Sequence, residues 1–373
     1  MFTRAELDDE EQGLDIEFDQ GSTFLSLAWL RDHCQCSECL HPETKQRLFD
    51  TFSMPARLVT SSISIVNDEE LIIVWAHENH TSVYSATFLK NLSHNPEKLT
   101  INHALWKGRI FNDIGCPSIE YDAVMNSEEG VKDLLELTEM YGFCFVQNTP
   151  PNEHGTTSVA NRVAYTRHTI FGGYYEMVAN LEHKDTAYTP LKIEPHTDGT
   201  YSNDAPSYQV LHCLEERCEG GENVLVDGFK IAEVMRQEHS DDFNMLTRVP
   251  VPAQYIDTTR DIHLMARRPI LRLDEDDNVV QVSFNNHDRA PFLPNWWEVG
   301  PFYRALNTFA KLYSNPEYHF RQKLYPGACL FFDNWRVLHA RDAYTGYRKL
   351  AGVYFNKEDV ESRLRVLRSK FNK

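Results

Sequence analysis

Residues 331–354 read FFDNWRVLHARDAYTGYRKLAGVY, and residues 193–201 read IEPHTDGTY. The longer stretch opens on the end of the apolar strand Leu330-Phe331-Phe332 and, after it, presents His339, with Arg348 nine residues beyond. In a strand, residues i and i+2 share a face, so His196 and Asp198 of the shorter stretch can converge on one ion. His339 then supplies a second imidazole. Two imidazoles and one carboxylate on one side of a metal leave three positions open, the ligand set of non-haem Fe(II) oxygenases. Arginine forks onto carboxylates, so Arg348 suits a keto acid bound at those positions. His-x-Asp alone recurs by chance; the distant histidine and arginine turn it into a constellation. On neighbouring strands, His339 and Arg348 would both face a barrel interior.

Around this centre the chain alternates short strands with turns: Ser207–Cys213, Val224–Asp227, Val279–Phe284, Cys329–Phe332 and Leu350–Phe355. Helical spacing of apolar residues marks Ser127–Tyr141, with Val131, Leu134, Leu135 and Leu137, and also Ser158–Ile170, Phe229–Arg236 and Pro301–Leu312. Many short strands with a few flanking helices predict a mainly β fold, a jelly-roll barrel. Earlier in the chain, Phe24–Leu30 and Leu71–Trp75 read as strands of a small β-rich module. The expected division is a module over 1–95, a connector over 96–117 and a catalytic domain over 118–373.

Composition bounds the function. The chain has 373 residues, enough for a catalytic domain and a smaller companion, and 42% hydrophobic with 25% charged residues is ordinary for a globular enzyme. A formal charge of −18 argues against a nucleic-acid surface, which needs a basic face. No apolar run approaches the roughly 18–20 residues of a membrane span. Residues 1–17 are acidic and unlike a presequence, so cytoplasm is the default location. Eight cysteines, unevenly placed, do not make a secreted disulfide scaffold. Cys144, within Phe143-Cys144-Phe145-Val146, reads as a buried, inert thiol.

Cys34-Gln35-Cys36-Ser37-Glu38-Cys39 is a tight thiolate cluster, one ligand short of a closed tetrahedral zinc site. His33, His41, His77 and His80 are the local candidates for the fourth; a surface thiol cluster or a redox pair is the alternative.

The stretch 331–354, together with DTAYTPLKIEPHTDGTYS (185–202) and GGENVLVDGF (220–229), resembles the Fe(II)/2-oxoglutarate oxygenases that hydroxylate trimethyllysine and γ-butyrobetaine in carnitine synthesis. The resemblance covers most of the chain. It implies a double-stranded β-helix with Fe(II) on His196, Asp198 and His339, 2-oxoglutarate on Arg348, and ascorbate as reductant. Asn223 stands where the family usually has threonine or serine near the cosubstrate. Anchored on Trp75 and Phe88-Leu89-Lys90, the resemblance selects His80 as the fourth ligand of a structural Zn(II) with Cys34, Cys36 and Cys39. It also implies an aromatic enclosure of Phe171, Tyr175, Tyr188 and Tyr354 for a trimethylammonium group, which cannot donate conventional N–H hydrogen bonds and is held by ring faces.

Asp185 discriminates between the two substrates. The γ-butyrobetaine enzymes tend to carry asparagine there; a carboxylate would repel that substrate and attract the α-ammonium of trimethyllysine. Asn285 and Asn286 are candidates for the polar end of the substrate, with turn residues as the competing reading. The expectation is therefore hydroxylation of Nε-trimethyllysine at C3, the first step of carnitine biosynthesis, with γ-butyrobetaine hydroxylation as the alternative. A small trimethylammonium substrate and O2 are the expected partners, and relatives are often homodimers. The mitochondrial matrix is the alternative to a cytoplasmic location.

Overall fold

The computed structural model describes residues 1–93, 103–179, 186–295 and 297–371. The chain divides into two compact units, Met1–Thr100 and Ile101–Lys373.

In the first unit, two three-stranded antiparallel sheets come from Phe2–Asp8, Gly13–Phe18 and Ser22–Ser26, and from Thr60–Val66, Glu70–Trp75 and His80–Ser85. Alternation along Gly13–Phe18 buries Leu14, Ile16 and Phe18, which join Leu71, Ile73, Trp75 and Tyr84 in one core. The expected strand Phe24–Leu30 is strand only to Ser26. Leu27–Asp32 is a helix, opened by the Ser26 hydroxyl accepting from the Trp29 N–H at 3.1 Å. The helix buries Leu27 and Leu30, three apart on one face.

The second unit is built on a seven-stranded and a four-stranded sheet. The larger includes Phe143–Gln147, Tyr208–Gly220, Cys329–Asp333 and Tyr344–Phe355. The smaller comprises Ile193–His196, Val337–Arg341, Asn223–Asp227 and Phe320–Gln322. Their strands are apolar on both faces, because both faces are covered. Phe143, Phe145, Leu211, Leu330, Phe332 and Leu350 from the larger sheet meet Leu225 and Val337 from the smaller one in an inner core. The alternate residues Cys144, Val146, Val210, Phe331 and Val353 face outward beneath Glu128–Tyr141, Glu153–Val163 and Lys357–Phe371. On the smaller sheet Val224, Val226, Leu338 and Ala340 are covered by Gly228–Glu238, Ser240–Arg248 and Val299–Tyr313. This is the expected curled, strand-rich core with flanking helices.

Two further expectations change. Residues 103–117, read as connector, belong to the second unit's core: Trp106 is buried and donates through Nε1 to the Tyr141 carbonyl at 2.7 Å, and Phe111 packs edge-on against Phe143. Their elements, Gly108–Ile110 and Phe111–Ile114, are too short to show a period. The expected helix Ser158–Ile170 instead spans Glu153–Val163, opened by the Asn152 side chain accepting from Gly155 N–H, and Thr166–Arg167 already pairs with Tyr354 and Phe355.

Candidate functional site

The period-2 rule explains why the site points inward. Along Val337–Arg341, Leu338 and Ala340 face the outer helices, so His339 faces the interior. Along Tyr344–Phe355, Ala351, Val353 and Phe355 are fully buried and the last two join the outer core, so Arg348, Leu350, Gly352 and Tyr354 share the inner face. His339 and Arg348 do not lie on neighbouring strands. They belong to the smaller and the larger sheet and face each other across the interior. The antiparallel register sets His196 directly opposite His339, with Leu225 on the other side.

His196, Asp198 and His339 place their ligand atoms within 4.8 Å of one another. Nε2 of His196 lies 3.2 Å and Nε2 of His339 3.5 Å from Oδ1 of Asp198, and the two imidazole centroids are 4.3 Å apart. Metal–ligand bonds of about 2.1 Å at right angles put neighbouring donors about 3 Å apart. The three donors therefore fit one ion on adjacent coordination positions. His196 Nδ1 lies 2.9 Å from the Glu194 carbonyl, a bond that leaves Nε2 free as a ligand. Burial alone would raise the Asp198 carboxyl, but the two imidazoles hold it well below the usual carboxylate range. Its charged, ligating form is the one this environment favours.

The approach to this triad is rigid. Asn334 is fully buried; its Oδ1 accepts the Asp198 N–H at 2.8 Å, and its Nδ2 donates to the carbonyls of Asp198 and Pro206 at 3.1 and 2.7 Å. Trp335 donates to the Ala205 carbonyl at 3.0 Å. Arg336 forks onto Asp227, both side chains fully buried, at 3.1 and 2.9 Å. The turn leading to His339 is thus bolted to the loop from Asp198 to Pro206 and to Asp227. Gly199, immediately after Asp198, has φ +70°, a region open to glycine, and a Cβ there would lie 2.5 Å from Pro206 Cδ.

Arg348 is buried and donates to Asn223 Oδ1 at 2.6 Å. Burial pulls its guanidinium below the ordinary arginine range, and the described protein offers it no carboxylate hydrogen bond. A buried guanidinium held on one side by a neutral amide is suited to fork onto an anionic ligand with the other.

A cavity of ≈ 310 Å³ opens onto His196 and Asp198, and Phe171, Tyr175, Tyr188, Tyr354 and Asn285 line it. Tyr175 stacks on Tyr354 with centroids 5.2 Å apart, and Phe171 is tilted against Tyr175 at 5.8 Å. Gln209 donates to the Tyr175 hydroxyl at 3.0 Å. Tyr175 packs its phenol end against Gly352, where an added Cβ would fall 2.3 Å from its ring. Tyr354 donates to Asp198 Oδ2 at 2.7 Å; burial and then the Asp198 charge push its phenol well above the usual range, keeping the proton in place.

Asn286 is exposed and does not line the cavity; its side chain accepts from Arg289 at 3.4 Å. Asn285 lines the cavity while its Oδ1 accepts from the His287 N–H, so it also shapes the turn. Asp185 lies outside the described residues. Sequence reasoning missed Tyr201, Tyr255, Asp288 and Arg289, which also line the cavity. Tyr255 sits on the hairpin of Val251–Asp257 and Ile262–Arg268, whose alternation was the available signal. Arg289 is the only lysine or arginine among the described lining residues.

In the first unit, Nε2 of His80 lies 3.4, 3.7 and 3.5 Å from the sulfurs of Cys34, Cys36 and Cys39. A tetrahedral zinc site has S···N edges of about 3.5 Å. Of the local histidines, the described geometry brings His80 to the thiols. Arg31, buried, donates to Cys39 Sγ at 3.3 Å and pairs with Glu78. Its charge offsets that of a three-thiolate set.

Comparison with known proteins places these features. Residues 109–354 match the family described as "Taurine catabolism dioxygenase TauD, TfdA family", and residues 5–90 match "Gamma-butyrobetaine hydroxylase-like, N-terminal". The chain is similar to trimethyllysine dioxygenase of Meyerozyma guilliermondii, 36% identical over 94% of this chain and 92% of the relative. Human trimethyllysine dioxygenase, named as mitochondrial, is 34% identical over 91% and 82%. The γ-butyrobetaine dioxygenase of Pseudomonas sp. strain AK-1 is 28% identical over 91% and 89%. A crystal structure of a taurine dioxygenase from Burkholderia xenovorans shares the fold, with a TM-score of 0.50 over 64% of this chain and 87% of that one at 13% identity. Among the described residues no helix is long and apolar enough to cross a membrane.

Proposed function

We propose that this chain, which belongs to the taurine catabolism dioxygenase TauD, TfdA family, hydroxylates Nε-trimethyllysine at C3, the first step of carnitine biosynthesis. The observation that carries this reading is its similarity to trimethyllysine dioxygenases, which runs along nearly the whole chain and includes the first unit. His196, Asp198 and His339 are the residues that would hold Fe(II), and Arg348 with Asn223 those that would hold 2-oxoglutarate. Bound there, iron, 2-oxoglutarate and O2 supply an oxidative decarboxylation that yields succinate and CO2 and hydroxylates an aliphatic C–H bond.

The protein's own work is positioning. Phe171, Tyr175, Tyr188 and Tyr354 present ring faces to the trimethylammonium group, a desolvated contact of about 2 kcal/mol or more. Asp185 is, on charge grounds, the residue that attracts the α-ammonium. Asn285 and Arg289 are candidates for the α-carboxylate, and Asn286 is the weaker one because it lies off the cavity. With both ends held, one C–H faces the metal triad and bulk water is kept from it.

γ-Butyrobetaine hydroxylation is the second reading, favoured by the match of the first unit to the γ-butyrobetaine hydroxylase-like model. The test is mass spectrometry of trimethyllysine and γ-butyrobetaine incubated separately with enzyme, Fe(II), 2-oxoglutarate, ascorbate and air. An added oxygen on trimethyllysine alone is expected; a gain on γ-butyrobetaine alone moves the enzyme to the later intermediate. Replacing Asp185 with Asn should cripple trimethyllysine turnover, and unchanged turnover would remove the charge argument.

A structural zinc on Cys34, Cys36, Cys39 and His80, and a homodimer, complete the proposal; metal analysis and light scattering decide them. Cytoplasm or mitochondrial matrix is settled by fractionation, the animal relatives being named as mitochondrial.

A further inference from the structure

We propose that Tyr354 is a positioning residue for the metal as well as a wall of the substrate cavity. Its hydroxyl holds the second oxygen of Asp198, so the carboxylate offers a single oxygen to the ion. The inference rests on the reading of His196, Asp198 and His339 as an iron site.

The two oxygens of Asp198 have different surroundings. Oδ1 faces both imidazoles, at 3.2 and 3.5 Å, while Oδ2 accepts from Tyr354 at 2.7 Å. An unrestrained carboxylate can turn about its last bond or chelate with both oxygens. Chelation would consume a coordination position that the keto acid or O2 needs. The backbone of Asp198 cannot follow such a turn, because Asn334 holds its N–H and its carbonyl at once. The one remaining rotation is that of the side chain, and the Tyr354 hydroxyl stops it.

Tyr354 itself has little freedom to release that bond. It stacks on Tyr175, which in turn accepts from Gln209. Tyr354 also stands on the inner face of its strand at a position where Gln209 is its cross-strand partner. One side chain therefore offers its ring to the cavity and its hydroxyl to the ligating carboxylate. A trimethylammonium group resting on that ring would bear on the residue that sets the ligand geometry. The ring serves binding and the hydroxyl serves the metal, and the two roles are separable because phenylalanine keeps one and loses the other.

The test uses the full-length chain freed of iron, titrated with Co(II) and followed by its visible absorption, beside steady-state kinetics. Tyr354→Phe should weaken Co(II) binding about 10-fold or more, the usual effect of removing a partner of a metal ligand. It should alter the Co(II) spectrum and lower kcat, with KM for trimethyllysine within about twofold of wild type. Phe171→Leu, which changes a wall of the same enclosure and removes no hydroxyl, should leave Co(II) affinity unchanged. A Tyr354→Phe protein with wild-type Co(II) affinity and spectrum overturns the proposal, whether KM rises or stays the same. His339→Ala is titrated in parallel: if it still binds Co(II) as wild type does, the iron-site reading fails instead. Thermal melting of each variant separates these effects from misfolding.

Discussion

The donor clusters of the two units differ in how many sides the protein closes. Around His80 Nε2, three sulfurs stand at tetrahedral spacing, and Arg31 and Glu78 lie beside them. With four donors, no coordination position is left for a small molecule. Around Asp198 Oδ1, two imidazoles occupy one side and a cavity lies on the other. The first arrangement can only hold an ion; the second can hold one and still admit substrate. Donor type follows the same division. Thiolates with one imidazole favour zinc, which needs no further ligand. Two imidazoles and a carboxylate favour a metal whose remaining positions are used in turnover.

Four experiments would break or sharpen this contrast. The largest effect is expected from Cys39→Ser. Structural zinc contributes roughly 10–16 kcal/mol to small modules that fold around it, so this variant should lose one equivalent of zinc and unfold Met1–Thr100, seen as lost hydrogen-exchange protection confined to that unit. Protection equal to wild type would mean that the core around Trp75 and Tyr84 stands without metal. Next, a mild chelator should strip iron reversibly, abolishing turnover while zinc, measured by elemental analysis, stays in place. Loss of both metals together would erase the distinction between closed and open.

Arg348→Ala should weaken 2-oxoglutarate by about 2–5 kcal/mol, at least ~30-fold, since it removes the buried charge that the cosubstrate would pair with. The measurement is KM for 2-oxoglutarate, with Co(II) affinity expected to stay near wild type. Asn223→Ala should have the smallest effect, about 1 kcal/mol or ~5-fold in the same constant. A larger loss than from Arg348→Ala would make the amide, rather than the guanidinium, the principal contact.

The chemistry-bearing residues were legible in the sequence because type and spacing restrict them. Few environments call for His-x-Asp with a later histidine and arginine, or for three cysteines within six positions. Strand periodicity then said which way they point, and the inner face shared by Arg348 and Tyr354 follows from it. What fell short was pairing. The spacing from His339 to Arg348 cannot tell whether two consecutive strands join one sheet or cross between two, because a short turn permits either; the chain crosses. The supporting residues were hidden for a different reason. Asp333 and Asn334 are types that mark turns, and Arg336 is a charged type ordinarily found at the surface. Here they are buried, with Asn334 and Arg336 fully so, and Asn334 alone makes three hydrogen bonds to backbone. Only the fold reveals that a turn lies inside the protein. The hairpin Val251–Asp257 with Ile262–Arg268 was missed although its alternation was visible, and Tyr255 with it.

Gly352 carries no reacting group, yet the Tyr175 ring lies where its side chain would be. Any side chain there would require the Tyr175 ring, a wall of the cavity, to shift. In a survey of natural variants, a change from glycine to alanine at a mid-strand position would ordinarily be scored as benign. At 352 it would behave as an active-site lesion, with normal expression, a reshaped cavity wall and lost affinity for the cationic end of the substrate. Vulnerability in this enzyme is therefore distributed by what each backbone position makes room for, as much as by which atoms react.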